Sequence, residues 1–126
     1  MEEAYSVKGP KSPDWKGDSG STCHIGHCKE DFVQLDYSTS LPLIRTGNGL
    51  VKPTVVGIIR KDVRNTEGNI IRINLTEAYY VPSFPINIFS LQRFYQKGGR
   101  IRDFSLVDST GLNAGSFDLN FNLQVV

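Results

Sequence analysis

Apolar and polar positions alternate in short stretches along this chain, and each stretch stops at a cluster of turn residues. From Phe32 to Tyr37, Val33, Leu35 and Tyr37 share one side while Gln34 and Asp36 take the other, which predicts a half-buried strand. Leu41–Arg45 and Leu50–Ile59 flank Thr46-Gly47-Asn48-Gly49. An Asn-Gly pair between apolar runs predicts a β-hairpin. Pro53 has no N–H for a ladder, so the second arm lies at an edge or bends there. After a turn at Asn65–Asn69, Ile70–Leu75 and Ala78–Val81 read as strand. Asn87 is placed to cap a helix over residues 88–97, closed by Gly98-Gly99. Ile101–Val107 and Phe117–Val126 supply further strands around a turn at Asp108–Gly111. About six to eight strands and one short helix predict an all-β barrel or sandwich.

Residues 1–13 mix charge, Gly and Pro without a period and read as a flexible lead-in. The fold is expected to start at Asp14-Trp15, with Trp15 as a buried anchor. The 126 residues suit one domain, and 39% hydrophobic with 21% charged residues excludes a disordered chain. A balance of 14 basic against 13 acidic residues excludes a whole-surface basic footprint for nucleic acid. The clusters Arg60, Lys61, Arg64 and Lys97, Arg100, Arg102 read as solvated ends of elements, so nucleic acid is not an expected partner. No apolar run is long enough to span a membrane. A cytoplasmic domain with reduced Cys23 and Cys28 is the expectation.

Cys23-His24-Ile25-Gly26-His27-Cys28 crowds four side chains of ligating type together. Structural zinc sites join two separated pairs, and so short a run cannot easily wrap a tetrahedron. Free thiols and loop histidines are expected, with no metal and no cofactor.

Asp18-Ser19-Gly20 carries chemistry of another kind. Gly20 lets the backbone turn tightly and approach a neighbour. Ser19 supplies a hydroxyl able to lock the turn, and Asp18 displays a carboxylate. One such turn cannot hydrolyse a peptide. Two of them face to face put two carboxylates within hydrogen-bonding reach, where like charges hold one proton between them. One oxygen can then activate water while the other protonates the scissile carbonyl.

Trp15, Asp18-Ser19-Gly20-Ser21-Thr22, His24, the Gly47–Gly49 hairpin, Val81-Pro82 and Asn87-Ile88-Phe89-Ser90-Leu91 follow one another in an order that resembles the protease region of copia-type retrotransposon polyproteins. That region is in turn similar to retroviral aspartic proteases. The resemblance covers residues 14–107 as a protease domain. It leaves 108–126 as C-terminal strands, at a dimer interface or opening the next polyprotein segment. It implies a homodimeric retropepsin-like barrel with one short helix, cutting its own polyprotein as a peptide substrate. The implied location is the cytoplasm, with virus-like particles as the compartment inside it. By the same resemblance Asp18, Ser19 and Gly20 are catalytic. Thr46, Gly47, Asn48 and Gly49 form a flap, with Ile44, Leu50, Val51 and Val56 as pocket liners. Thr22, Asn87, Ile88 and Phe89 support the fold. One departure stands out: the residue before the aspartate is aliphatic in the resembled family and is Gly17 here. A glycine loosens the strand that presents Asp18. It motivates an alternative, an inactive, domesticated dimerisation or binding module. A second Asp-Ser run, Asp108-Ser109-Thr110-Gly111, has an extra residue before its glycine and reads as a plain turn.

Overall fold

The computed structural model describes residues 11–37, 40–47 and 49–126. Its strands are β1 (Trp15–Asp18), β2 (Ile25–Gly26), β3 (Phe32–Asp36), β4 (Ile44–Thr46), β5 (Gly49–Val51), β6 (Val55–Arg64), β7 (Ile70–Tyr80), β8 (Asn87–Ser90), β9 (Arg100–Arg102), β10 (Ser105–Val107) and β11 (Asn113–Ser116). One α-helix, α1, spans Leu91–Gln96. The described chain is therefore mostly strand with little helix, as the alternation predicts.

Six strands form one sheet in the order β1-β8-β2-β7-β6-β3. Its longest pair is the antiparallel β6–β7 hairpin, which turns at Asn65–Asn69. Buried Asn65 shapes that turn by accepting the Glu67 and Asn69 N–H groups at 3.0 and 2.9 Å. β1 and β8 run parallel, in register from Trp15 opposite Asn87 to Asp18 opposite Ser90. A second sheet has the order β11-β10-β9, and β4 pairs with β5 as a separate hairpin. The larger apolar core joins Trp15, Ile59, Val63, Phe89, Leu106 and Phe117. A smaller one joins Ile25, Ile44, Val81, Phe84 and Ile88. Each large side chain so buried contributes roughly 1.5–3 kcal/mol.

Several elements differ from the sequence expectation. The helix begins at Leu91, not at residue 88, and its cap is Ser90, whose hydroxyl accepts the Arg93 N–H at 3.1 Å. Residues 87–90 are instead a fully buried strand, because β1 on one side and Ile25 of β2 on the other take up its backbone groups. Ile101–Val107 is two strands, since Asp103 and Phe104 both adopt left-handed conformations (φ 48° and 66°) and reverse the chain. Val33 on β3 and Tyr37 just beyond it are 52% and 68% exposed, because β3 is the sheet's edge strand. Finally, residues after Phe117 form no regular strand but make single pairings, Lys16 with Asn122 and Val63 with Val125. Pro53 does interrupt its strand, as expected: β5 ends at Val51 and β6 starts at Val55.

The C-terminal segment covers the outer edge of β1. Gly17 N–H donates to the Phe121 carbonyl at 2.9 Å, and Leu123 N–H donates to the Trp15 carbonyl at 2.7 Å.

Candidate functional site

β1 ends on Asp18, and the chain turns at once through Ser19-Gly20. The Gly20 N–H donates to Asp18 Oδ1 at 2.7 Å, fixing one carboxylate oxygen against its own turn. Gly20 is required by crowding. A Cβ there would lie 2.9 Å from the Gly47 Cα and 3.2 Å from Asp18 Oδ1.

The contact with Gly47 brings the β4–β5 hairpin to the carboxylate. A side-chain carbon on Gly47 would stand 3.7 Å from both Asp18 oxygens, so that backbone lies directly over the acid. Thr22 ties the turn to the hairpin's first strand, its N–H donating to the Arg45 carbonyl at 3.0 Å. Within the hairpin, Thr46 Oγ1 donates to the Gly49 carbonyl at 2.9 Å. Ile44 is buried in the smaller core, Val51 packs against that core, Leu50 is 62% exposed and Val56 is half-buried in β6. Asn48 lies outside the described residues.

A pocket of about 450 Å³ opens beside Asp18, lined by Asp14, Lys16, Gly17, Gly47, Ile88 and Asn122 among others. Its lining combines the carboxylates of Asp14 and Asp18, the Lys16 side chain, the apolar Ile86 and Ile88, and glycine backbone.

Behind the turn the support is polar, and buried at Ser90. The Ser19 carbonyl accepts Gln92 Nε2–H at 2.6 Å, and the Ser21 carbonyl accepts the Ser90 hydroxyl at 2.7 Å. The expected lock is thus made by the carbonyls of Ser19 and Ser21, while the Ser19 hydroxyl makes no hydrogen bond among the described residues. Asn87, predicted to cap the helix, is 2% exposed and bridges other segments. Its Oδ1 accepts the His27 N–H at 3.0 Å, and its Nδ2 donates to the Pro13 carbonyl at 3.3 Å. Ile88 faces the smaller core and Phe89 the larger.

The Cys23–Cys28 run is dispersed. His24 Nδ1 accepts the Ser90 N–H at 3.0 Å, His27 Nε2 pairs with the Ser12 carbonyl at 2.7 Å, and Cys28 donates to Glu30 at 3.2 Å. Among the described residues, no three groups of ligating type converge as a metal site would require. Burial, with help from Arg93 and Lys97, pushes the His24 imidazole down to about 3.

Gly17 has a different meaning from the one its sequence context suggests. The rings of Phe117 and Phe121 stack at 4.2 Å and cover it. A Cβ on Gly17 would lie 2.8 Å from Phe121 Cδ2 and 2.9 Å from Phe117 Cε1. The glycine makes room for these aromatics, and the strand it sits in is hydrogen-bonded on both edges. Neither Phe121 nor Asn122 was predicted at the site. The signal for them was the glycine itself, an unexplained gap in a strand.

Residues 15–99 match the family described as the Pol polyprotein, beta-barrel domain. The chain belongs to that family. No curated protein and no solved structure matches it. The match places this Pol polyprotein β-barrel domain in a retroelement polyprotein context. It takes in β1, the Asp18 turn, the β4–β5 hairpin, β8 and α1. Phe117, Phe121 and Asn122 lie beyond the matched segment, yet the two rings pack on Gly17 of β1 and Asn122 lines the Asp18 pocket.

Proposed function

We propose that this domain is the aspartic endopeptidase of a copia-type retroelement, cutting its own polyprotein as a homodimer. The observation that carries this reading is the Gly47 backbone lying over the Asp18 carboxylate, next to a peptide-sized pocket. One chain offers one such carboxylate, so a second copy supplies the other. The hairpin tip acts as a flap, and substrate lies extended beneath it, its backbone hydrogen-bonded like an added strand.

The chemistry then needs no cofactor. One Asp18 carboxylate removes a proton from water as the oxygen attacks the peptide carbonyl carbon. The partner's carboxyl gives its proton to the carbonyl oxygen, leaving a neutral tetrahedral diol. Proton transfer to the nitrogen lets the C–N bond break, and the pair again holds one proton. Activity is highest in mildly acidic to near-neutral solution, where a facing pair holds a single proton. A rate that keeps rising into alkaline solution would count against such a pair.

The inactive-module alternative rested on Gly17, and the packing of Phe117 and Phe121 gives that residue a structural reason instead. The deciding experiment is cleavage of a precursor that contains the domain and its flanking sequences, at about pH 5–7, beside Asp18→Asn. Cleavage by the unsubstituted protein alone is expected. A folded dimer that cleaves nothing would overturn the reading.

A further inference from the structure

Behind the Asp18 turn, one serine and one histidine hold three pieces of chain together. The Ser90 hydroxyl accepts the Arg93 N–H at 3.1 Å, which starts α1, and donates to the Ser21 carbonyl at 2.7 Å. Gln92, in the first turn of α1, donates to the Ser19 carbonyl. Those two carbonyls bracket Gly20, whose N–H holds Asp18 Oδ1. The attitude of the turn therefore depends on where α1 begins, and α1 begins at Ser90. The Ser90 backbone is held in turn by His24, whose Nδ1 accepts its N–H. An acceptor nitrogen carries no proton, so the neutral ring keeps its hydrogen on Nε2. A second proton would set Nδ1–H against N–H, donor against donor, inside a site where His24 is 5% exposed.

We propose that His24 is a positioning residue for Asp18: as a neutral imidazole it clamps the Asp18–Ser21 turn to the start of α1, and acid releases the clamp. Its consequence for cleavage rests on the protease reading, while its structural part does not. The charged groups around the imidazole are Arg93 on α1, Lys97 at its C-cap and Asp108 from the β10–β11 turn, all lining one small pocket with it. Glu77 of β7 pairs with Arg93 and partly offsets that cation. Phe89 of β8 lies against the ring at 5.0 Å. The imidazole of the closed form sits near 3, far under its usual 6.5. Between those values the open chain binds a proton that the closed chain refuses. The clamp is therefore at full strength above pH 6.5, and its closing constant falls by up to about tenfold per pH unit as acid is added below that.

His24→Asn isolates this effect, because an amide oxygen can accept the Ser90 N–H without titrating. The test measures the folding constant in denaturant from pH 7 to 4.5 for the unsubstituted protein, His24→Asn and His24→Leu. Amide exchange at Gly20 and Ser90 is followed in parallel. The unsubstituted protein should show close to one proton more of pH dependence than His24→Asn, about tenfold per unit below pH 6. Its Gly20 and Ser90 amides should lose protection together in acid, and His24→Leu should lose Ser90 protection even at pH 7. In precursor cleavage, the acid limb should move to lower pH in His24→Asn. Equal pH slopes in the two proteins would overturn the proposal. So would an NMR titration of the folded, unsubstituted protein in which His24 takes a proton near its usual value while the Ser90 amide stays protected, a measurement that needs no variant. If no form cleaves the precursor but the slopes differ as expected, the clamp stands and the protease reading falls.

Discussion

Two turns in this domain begin with Asp-Ser and end on glycine, and they hold the aspartate in different ways. In the turn between β10 and β11, Asp108 Oδ1 receives three donors: the Thr110 N–H at 2.9 Å, the Thr110 hydroxyl at 2.6 Å and the Leu112 N–H at 3.0 Å. The hydroxyl bond foremost, with the backbone N–H groups, holds that carboxyl below the usual carboxylate range. The acid is consumed in shaping its own turn. In the Asp18 turn, one described N–H reaches the carboxylate, and the support comes from behind, through Gln92, Ser90 and Thr22. The rest of the carboxylate faces Gly47 and a pocket. A carboxylate becomes available for chemistry when other groups carry the structural work around it.

That contrast can be broken most severely at the acid itself. Asp18→Asn should lower precursor cleavage by at least about a hundredfold, the low end of what general acid–base catalysis contributes. Asp108→Asn should leave it nearly unchanged, as measured by product formation on gels. Equal losses would erase the distinction between the two turns.

A smaller effect is expected at the strand that presents Asp18. Gly17→Leu drives a side chain into the Phe117–Phe121 stack and should cost about 1–3 kcal/mol in denaturant unfolding, as overpacking generally does. Phe121→Ala in the same chain should recover part of this, with a coupling of about 0.5–3 kcal/mol as for other residues in contact. Strict additivity would mean that the glycine and the ring do not share the space.

The smallest effect belongs to the surface turn. Its folded carboxyl sits below the unfolded value, so the contribution of Asp108 is complete above about pH 4 and fades as the solution falls through the folded value. Asp108→Ala should therefore destabilise by less than about 1 kcal/mol at neutral pH, given the solvent screening at this site. The difference from the unsubstituted protein should shrink in strong acid, as followed by thermal unfolding against pH.

Much of this was legible in the sequence. The hairpin around Gly47-Asn48-Gly49, the break at Pro53 and the turn at Asn65 each follow from local chemistry, and the structure has them where the residues put them. The errors arose where distant pairing overrode a local signal. Asn87 looks like a helix cap, but the ladder with β1 turns residues 87–90 into strand and passes the cap to Ser90. Val33 and Tyr37 look buried by alternation, but alternation cannot say whether a strand lies at an edge. At the site, Asp18 was visible through its neighbours in sequence. The tail that completes its surroundings was not, because Phe121 meets Gly17 only through the tertiary fold.

The covering of β1 by the C-terminal segment bears on the order of events during synthesis. The strand that presents Asp18 leaves the ribosome well before the segment that covers it. Its outer edge waits for partners far along the chain: Lys16 and Asn120, joined by a 2.6 Å bond, are 104 residues apart in sequence. Closures across so long a loop are slow to form and leave an unpaired strand edge open meanwhile. A nascent domain of this kind carries Asp18 before the segment that covers its strand, and residues 117–125 set when that strand is closed.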